Sequence, residues 1–466
     1  MKKALSRAAV ILFWLAVWQI AANRVDNRIL LTGPAEVCMR IMKELGSMEF
    51  YASAAGSLAR IMAGFLLGMI SGAAIGACAF FCRVIRRLLE PVILAMKSVP
   101  VAAFVILVLI WSGSENLAVP ISFFVVFPYF YVQTMTGLAE TDEMKLAFAR
   151  VCGMRGLNRI LYLYRPALAP YLLGAARITI GMSFKSGIAA EVIGIPESAI
   201  GTRLYMSKVY LDTAGVLAWT VVIVLLSFLC EKVILYLLGA LLRLPVPPLS
   251  GRGKSSVRAN AEKKGQMIVI PAMSKTYQGK KVVRMPELSM KAGTRLALVG
   301  ESGSGKTTWL KMLMGLTEPD NEKEKSDGAE NGALRESPQI SPVFQEDCLF
   351  PEQTAMDNLR MVCAEENKGR IRECLELLLP AGTADQPAAE LSGGMQRRTA
   401  VARAALAGGG MLVLDEPFSG LDMENRKRLA TFVLKQQGDR VLIFTAHDEA
   451  EAALLFPDKT IRLPRA

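Results

Sequence analysis

The 466-residue chain contains one histidine, His447, and no CxxC pair of the metal-site type. Its eight cysteines are scattered, with Cys78 and Cys82 four apart beside an apolar run. They read as small buried hydrophobes or inert thiols, which leaves metal ligation by thiolates out of the account. Charge is scarce in the first half, where long runs carry almost none, whereas after Arg252 charged and apolar residues alternate. A hydrophobic fraction of 52% and a mean hydropathy of +0.34 exclude an ordinary soluble protein of this length. The uneven placement points to a membrane domain followed by a water-soluble one.

The net charge of +12 does not call for nucleic acid. The basic residues sit at the ends of apolar runs, as expected where cationic loops stay on the cytoplasmic side of a bilayer. Residues 1–22 have the charged start and apolar stretch of a signal peptide, but Asn23 to Asp26 offers no good cleavage site. An uncleaved first helix is expected. Runs of about twenty apolar residues can cross a bilayer. The candidates are Ala8–Ala22 (short), Ile61–Phe81, Pro91–Trp111, Leu117–Leu138, Leu168–Ile188 and Val216–Leu238. Six spans put both termini on one side. Lys2, Lys3, Arg7, Arg83, Arg86, Arg87, the basic residues from Lys145 to Arg165, and Arg243 share it, which makes it cytoplasmic.

Residues 1–244 thus read as an all-α polytopic membrane domain, 245–266 as a linker and 267–466 as an α/β domain. The linker PVPPLSGRGKSSVRANAEKKG has no apolar periodicity. Beyond it, β-rich runs at Met267–Ile270, Arg295–Val299, Met411–Leu414 and Val441–Thr445 alternate with helical patterns. Glu318–Pro338 is polar and acidic, and reads as a surface loop.

Gly300-Glu-Ser-Gly303-Ser-Gly305-Lys306-Thr307 follows the apolar run Leu296–Val299 and fits GxxxxGK[ST]. A strand ending in a glycine-rich loop that opens a helix aims several N–H groups and a helix dipole at one point, where phosphates bind. Lys306 is expected to neutralise the β/γ-phosphates of ATP, and the Thr307 hydroxyl to ligate Mg²⁺. Met411-Leu-Val-Leu-Asp415-Glu416 is a buried strand with two carboxylates at its tip. Asp415 suits Mg²⁺, and Glu416 suits polarisation of an attacking water.

Leu391-Ser392-Gly393-Gly394-Met395-Gln396, lying between these two motifs, completes a set that resembles the ATP-binding cassette ATPases over Met267–Leu463. The resemblance implies a P-loop NTPase in which two cassettes pack head to tail, Ser392–Gly394 of one covering the nucleotide on the other. It adds Thr308 to the ATP site and makes Gln345 an Mg²⁺-sensing residue beside the transmembrane partner. Asp422, in Ser419-Gly-Leu-Asp422, falls on the loop that crosses the dimer interface. Tyr277 takes the place of the ring against adenine, and His447 that of the γ-phosphate switch; with Glu416 it implies hydrolysis.

Between the fourth and fifth spans, Leu146-Ala-Phe-Ala149-Arg-Val-Cys-Gly153 with Pro166 resembles the cytoplasmic coupling loop of type I, binding-protein-dependent importers. Gly153 is expected to turn between two short helices, one docking beside Gln345. Ala147, Phe148 and Arg165 depart from the usual pattern. Ser57-Leu-Ala-Arg60, Gly64-Phe65, Ser98-Val-Pro100 and Ala189-Ala-Glu191 look like permeases of the nitrate, sulfonate and taurine group, whose relatives carry thiamine-pyrimidine precursors. The implied assembly is a homodimer, or a heterodimer with a similar chain, in a bacterial cell membrane and served by an extracytoplasmic solute-binding protein. Ionisable residues within spans tend to face a cavity or partner. Arg177 and Lys185, close to one helical face, and Glu191 are expected to line a pathway that favours an anion. The rival readings are a half-exporter, disfavoured by short loops between spans, and an ATP-binding receptor that moves no solute.

Overall fold

The computed structural model describes residues 2–25, 27, 29–154, 156–243, 267–277, 280–320, 339–362 and 368–464. The expected linker 245–266 and most of the acidic stretch after Glu318 lie outside them. The chain divides into two compact units. One comprises Met1–Thr141 and Tyr164–Leu244; the other comprises Asp142–Leu163 and Pro245–Ala466.

The first unit is helical: α1 (Lys2–Val25), α2 (Pro34–Leu45), α3 (Met48–Phe81), α4 (Arg83–Ser98), α5 (Val101–Ser112) and α6 (Ala118–Ala139). After α7 (Glu143–Val151), which belongs to the second unit, come α8 (Leu157–Gly194), whose residues up to Leu163 also belong to the second unit, α9 (Ile200–Val209) and α10 (Thr213–Leu242). Among the described residues four helices are long and apolar enough to cross a bilayer, namely α3, α6, α8 and α10. The bent pair α4–α5 makes a fifth if counted as one span, and α1 offers only the shorter apolar helix Ala9–Val25.

The expectation of six spans is therefore reduced. Pro91–Trp111 is not one straight helix: α4 and α5 meet at 107°. Pro100 lacks an N–H and pushes the residue before it out of the helical region, and Val99 sits at φ −71°, ψ 128°. Likewise Pro166 does not follow a loop but lies within α8, just after a π-helical turn at Ile160–Tyr164. A proline removes one helical hydrogen bond, and a widened turn beside it accommodates the loss.

The bundle closes around α3 and α6. Gly64, Gly68, Gly72 and Gly76 repeat every fourth residue along one face of α3. A Cβ at Gly64 would stand 2.2 Å from the Val119 carbonyl, and one at Gly72 2.6 Å from that of Phe127. Small residues let the two backbones approach, which drives helix association where no water is expelled. Phe65 meets Phe130 edge-on at 6.2 Å, and Phe50 stacks on Trp219 at 5.1 Å.

In the second unit a parallel sheet has the order β6-β7-β8-β5-β9. Its strands are β5 (Arg295–Val299), β6 (Ile340–Val343), β7 (Met411–Leu414), β8 (Val441–Ala446) and β9 (Lys459–Arg462). Strands β7 and β8 are buried at every residue, as parallel strands covered on both faces must be. Two antiparallel pairs precede them: β1 (Ile268–Ile270) with β4 (Leu288–Met290), and β2 (Met273–Tyr277) with β3 (Lys280–Met285). The helices are α11 (Lys306–Leu313), α12 (Ala355–Arg360), α13 (Lys368–Leu378), α14 (Gly393–Leu406), α15 (Met423–Gln437) and α16 (Glu449–Ala453). Parallel strands end together, so the loops after Val299, Val343, Leu414 and Ala446 gather along one edge, where α/β sheets place their ligands.

Candidate functional site

Four of those loops carry the residues expected to handle nucleotide. After β5, Gly303 and Gly305 both adopt φ +85°, a left-handed conformation that favours glycine. At Gly305 a Cβ would also meet the Val282 carbonyl at 2.7 Å, and at Gly300 it would meet that of Leu463 at 2.7 Å, so both must be glycine. Lys306 is 4% exposed, and its Nζ donates to the carbonyls of Gly300 and of Glu301, the latter at 2.9 Å. Ser304 Oγ is buried without a partner inside the loop, and nothing lies within 4 Å of where a Gly303 Cβ would be. An orphaned hydroxyl and open space at the mouth of a helix N-terminus fit phosphate oxygens. Thr307 and Thr308 open α11 and are partly exposed.

The carboxylates stand after β7. Asp415 is 2% exposed, and its Oδ1 accepts from Thr445 Oγ1 at 2.8 Å. Burial raises its pKa above the usual carboxylate range, while hydrogen bonds from Thr445 and Thr307 pull it back. A hydroxyl and a carboxylate in contact, with the exposed amide of Gln345 on the neighbouring strand's loop, make an all-oxygen donor set of the kind Mg²⁺ prefers. Glu416 has φ +48°, uncommon for a residue with a Cβ. That turn is held from both sides: its N–H donates to Thr445 Oγ1 at 2.7 Å, and its carbonyl accepts from Arg397 at 2.8 Å. The strained backbone thus points one carboxylate toward His447, whose Nε2 lies 3.3 Å from Glu416 Oε2. His447 is half-exposed, its side chain 51% accessible, and its backbone N–H donates to Glu451 Oε2 at 2.9 Å.

Ser392, Gly393 and Gly394 begin α14. Ser392 and Gly393 are exposed, and the serine hydroxyl caps nothing in its own helix. Asp422 caps α15 by accepting from Asn425 N at 2.8 Å, and Asn425 Nδ2 donates to it at 2.8 Å as well. Those bonds hold its carboxyl below the ordinary range and give it a structural task. Tyr277, at the end of β2, is 49% exposed with Lys275 Nζ 5.8 Å from its ring centre. Thus Lys306, Asp415, Glu416 and His447 come together along one edge, while Ser392 and Gly393 face solvent.

The segment Asp142–Leu163 packs into this same unit. Asp142 caps α7 by accepting from Met144 N at 2.9 Å and Lys145 N at 3.2 Å. Gly153, at φ +67°, ends it: Met154 N donates to Ala149 O at 2.8 Å and Gly153 N to Arg150 O at 3.1 Å. This paired pattern is the Schellman stop, and it turns the chain as expected. The anchor is Phe148, 2% exposed, with ring centres of Phe344 and Phe350 at 6.5 and 6.4 Å and the Arg403 guanidinium at 3.9 Å. Phe148 had stood out in the sequence only as a departure from a pattern. Arg397, Arg403 and Thr445 were not identified there at all; a buried arginine on a helix has no sequence signature until its carbonyl partners are known.

In the membrane unit Arg177 and Lys185 are exposed on α8, but Glu191 is not with them. It is fully buried, accepting from Ser57 Oγ at 2.6 Å, Arg60 Nη2 at 3.0 Å and Gly201 N at 3.2 Å. Of the three residues expected to line a pathway, Arg177 and Lys185 are thus exposed, and Glu191 is buried and paired.

Residues 64–242 match a family model described as the binding-protein-dependent transport system inner membrane component, and residues 283–419 match the ABC transporter model. The sulfate/thiosulfate import ATP-binding protein CysA of Synechococcus elongatus is 36% identical over 196 residues, covering 40% of this chain and 56% of the relative. The Fe(3+) ions import ATP-binding protein FbpC of Mannheimia succiniciproducens is 36% identical over 194 residues, covering 40% and 55%. The spermidine/putrescine import ATP-binding protein PotA of Vibrio vulnificus is 34% identical over 198 residues, covering 40% and 52%. The chain spans little more than half the length of these relatives. One polypeptide therefore joins a helical unit that matches the binding-protein-dependent transport model to a parallel-sheet α/β unit that matches the ABC transporter model.

Proposed function

We propose that this chain is one half of an ATP-driven importer in a bacterial cell membrane, with its cassette on the cytoplasmic side. The observation that carries this reading is the packing of α7, from the permease-like half of the sequence, against the cassette beside its catalytic loops. A fused half-machine needs such a contact to turn hydrolysis into motion. Two copies, or one copy and a similar chain, would face their cassettes head to tail. Each ATP would then lie between the phosphate loop of one and Ser392–Gly394 of the other.

Lys306 and the loop N–H groups hold the phosphates. Thr307 and Asp415, with Gln345, would hold Mg²⁺, which would supply charge neutralisation at the phosphates. Glu416 orients and polarises the attacking water, and His447, 3.3 Å away, fixes that carboxylate and reaches for the γ-phosphate. Asp422 sits at the interface loop, and Tyr277 offers its half-exposed ring to adenine. Ala149 in α7, Gly153 at its end and Pro166 in α8 belong to the stretch of chain that transmits closure to the permease.

The transported solute is a small molecule delivered by a separate extracytoplasmic binding protein. The named relatives differ in their cargo and so favour none. Exposed Arg177 and Lys185 on one helix support an anion such as nitrate, a sulfonate or taurine, with a thiamine-pyrimidine precursor as the other member of the resembling group. The test is accumulation of labelled solute in vesicles containing the chain and the binding protein that co-purifies with it. ATP-dependent uptake abolished by Glu416→Gln is expected. Uptake that persists in that variant would refute the reading. Efflux in place of uptake would identify a half-exporter, and hydrolysis without movement a receptor.

A further inference from the structure

Two arginines lie buried on α14, the helix that begins at the exposed Ser392. Arg397, 3% exposed, uses one guanidinium for two jobs. Its Nη1 donates to Phe344 O and Asp347 Oδ1, both at 2.8 Å, and its Nη2 donates to the carbonyls of Asp415 and Glu416. Six residues on, Arg403 donates from Nη1 to Cys348 O at 2.9 Å and from Nη2 to Asp347 O at 3.0 Å. Its other side is covered by the Phe148 ring, 3.9 Å from the guanidinium carbon. The loop Phe344–Cys348, which includes Gln345, is therefore gripped by both arginines. One of them also grips the catalytic turn, and the other the docked segment.

Arg403 is an expensive choice if packing were its only task. It is 2% exposed, has no salt bridge among the described residues, and its Nε finds no partner. The one carboxylate nearby, Asp347, gives its side-chain oxygen to Arg397. A buried cation without a counter-ion is costly, and a neutral residue of similar volume would fill the space at less cost. What the charge adds is a conditional contact. With Phe148 docked, the guanidinium is dry and held by the ring's π-face, where such an interaction is strongest. Any movement of Asp347 and Cys348 carbonyls changes the donors' satisfaction and so the affinity of that face for the ring. By linkage, docking of the ring must bias the position of the loop equally.

We propose that Arg403 is a positioning residue that couples nucleotide engagement at the catalytic turn to docking of Phe148, acting through the Phe344–Cys348 loop and Arg397. Because α14 is about 21 Å long at 1.5 Å per residue, the same rigid helix presents Ser392 at one end and this contact at the other. The inference rests on the cassette reading above.

The test is a double-mutant cycle on Mg-ATP affinity, in the full chain in nanodiscs and in a Glu416→Gln background that keeps the nucleotide intact. Phe148→Leu touches no nucleotide-site residue, yet should shift the Kd about threefold or more. The same substitution should shift it not at all once Arg403→Met is present. Arg403→Lys, which keeps a cation but loses the planar fork that donates to both carbonyls, should shrink the Phe148 effect, and serves if Arg403→Met fails to fold. Additive effects, or an unmoved Kd in Phe148→Leu, would assign Arg403 to packing alone and overturn the proposal. Loss of specific Mg-ATP binding in the parent, judged by its equality with Lys306→Ala, would instead overturn the cassette reading and the coupling with it.

Discussion

Arg60→Met in the membrane unit isolates the worth of one buried ion pair. Glu191 is fully buried and Arg60 16% exposed, joined at 3.0 and 3.2 Å by two guanidinium nitrogens. Removing one partner of such a pair leaves an uncompensated charge and costs about 3–5 kcal/mol. Ser57 Oγ and Gly201 N still donate to the carboxylate, so the lower end, about 3 kcal/mol, applies. At about 2–4 °C per kcal/mol for a unit of this size, the melting temperature in detergent should fall by about 6–12 °C. The double variant Arg60→Met, Glu191→Gln removes both charges and should recover most of the loss. If the double variant melts no higher than the single one, charge compensation is not what the pair provides, and the reasoning fails.

Other consequences are open to direct measurement. Gly72→Leu forces a side chain into the Phe127 carbonyl on α6 and should abolish stable expression of the membrane unit, whereas Gly174→Leu, with nothing within 4 Å of its Cβ, should be tolerated; equal yields would contradict the close helix contact. Burial raises the thiols of Cys152 and Cys348 from near 9.0 to about 12. A raised folded pKa means stability is intact below about 9 and lost as pH climbs toward 12, so alkaline melting should ease in Cys152→Ala, and a flat profile in the parent would count against it. Burial likewise raises Asp415 above the ordinary carboxylate range. Mg²⁺ needs the ionised form, and Mg-dependent nucleotide binding should therefore weaken on acidification at a higher pH than an ordinary carboxylate allows. Titration of Mg-ATP affinity against pH, compared with Asp415→Asn, checks the direction.

Much of the cassette was legible because its chemistry is local. The phosphate loop, Asp415–Glu416 and Ser392–Gly394 are short runs whose conformation follows from glycine freedom and strand burial, and the four strand runs proposed from the sequence agree with β1, β5, β7 and β8 to within a residue. What stayed hidden depends on distance along the chain. Glu191 meets Arg60 131 residues away, and Phe148 meets Arg403 from the far side of a segment that composition assigned to the membrane domain. The 107° break at Val99–Pro100 was hidden for another reason: hydropathy averages over a window and registers apolarity, not direction. Cys38 on α2 and Cys78 on α3 are exposed, since apolarity in a sequence does not by itself fix an interior position.

The composite nucleotide site is best tested with mixed dimers, one copy carrying Lys306→Ala and the other Ser392→Arg. Each homodimer has both of its sites damaged. In the mixed dimer both defects fall in the same site, and the other site joins an intact phosphate loop to an intact serine tip. ATP hydrolysis by the mixed dimer well above that of either homodimer is the predicted result. A mixed dimer as inactive as both homodimers would contradict a site shared between copies.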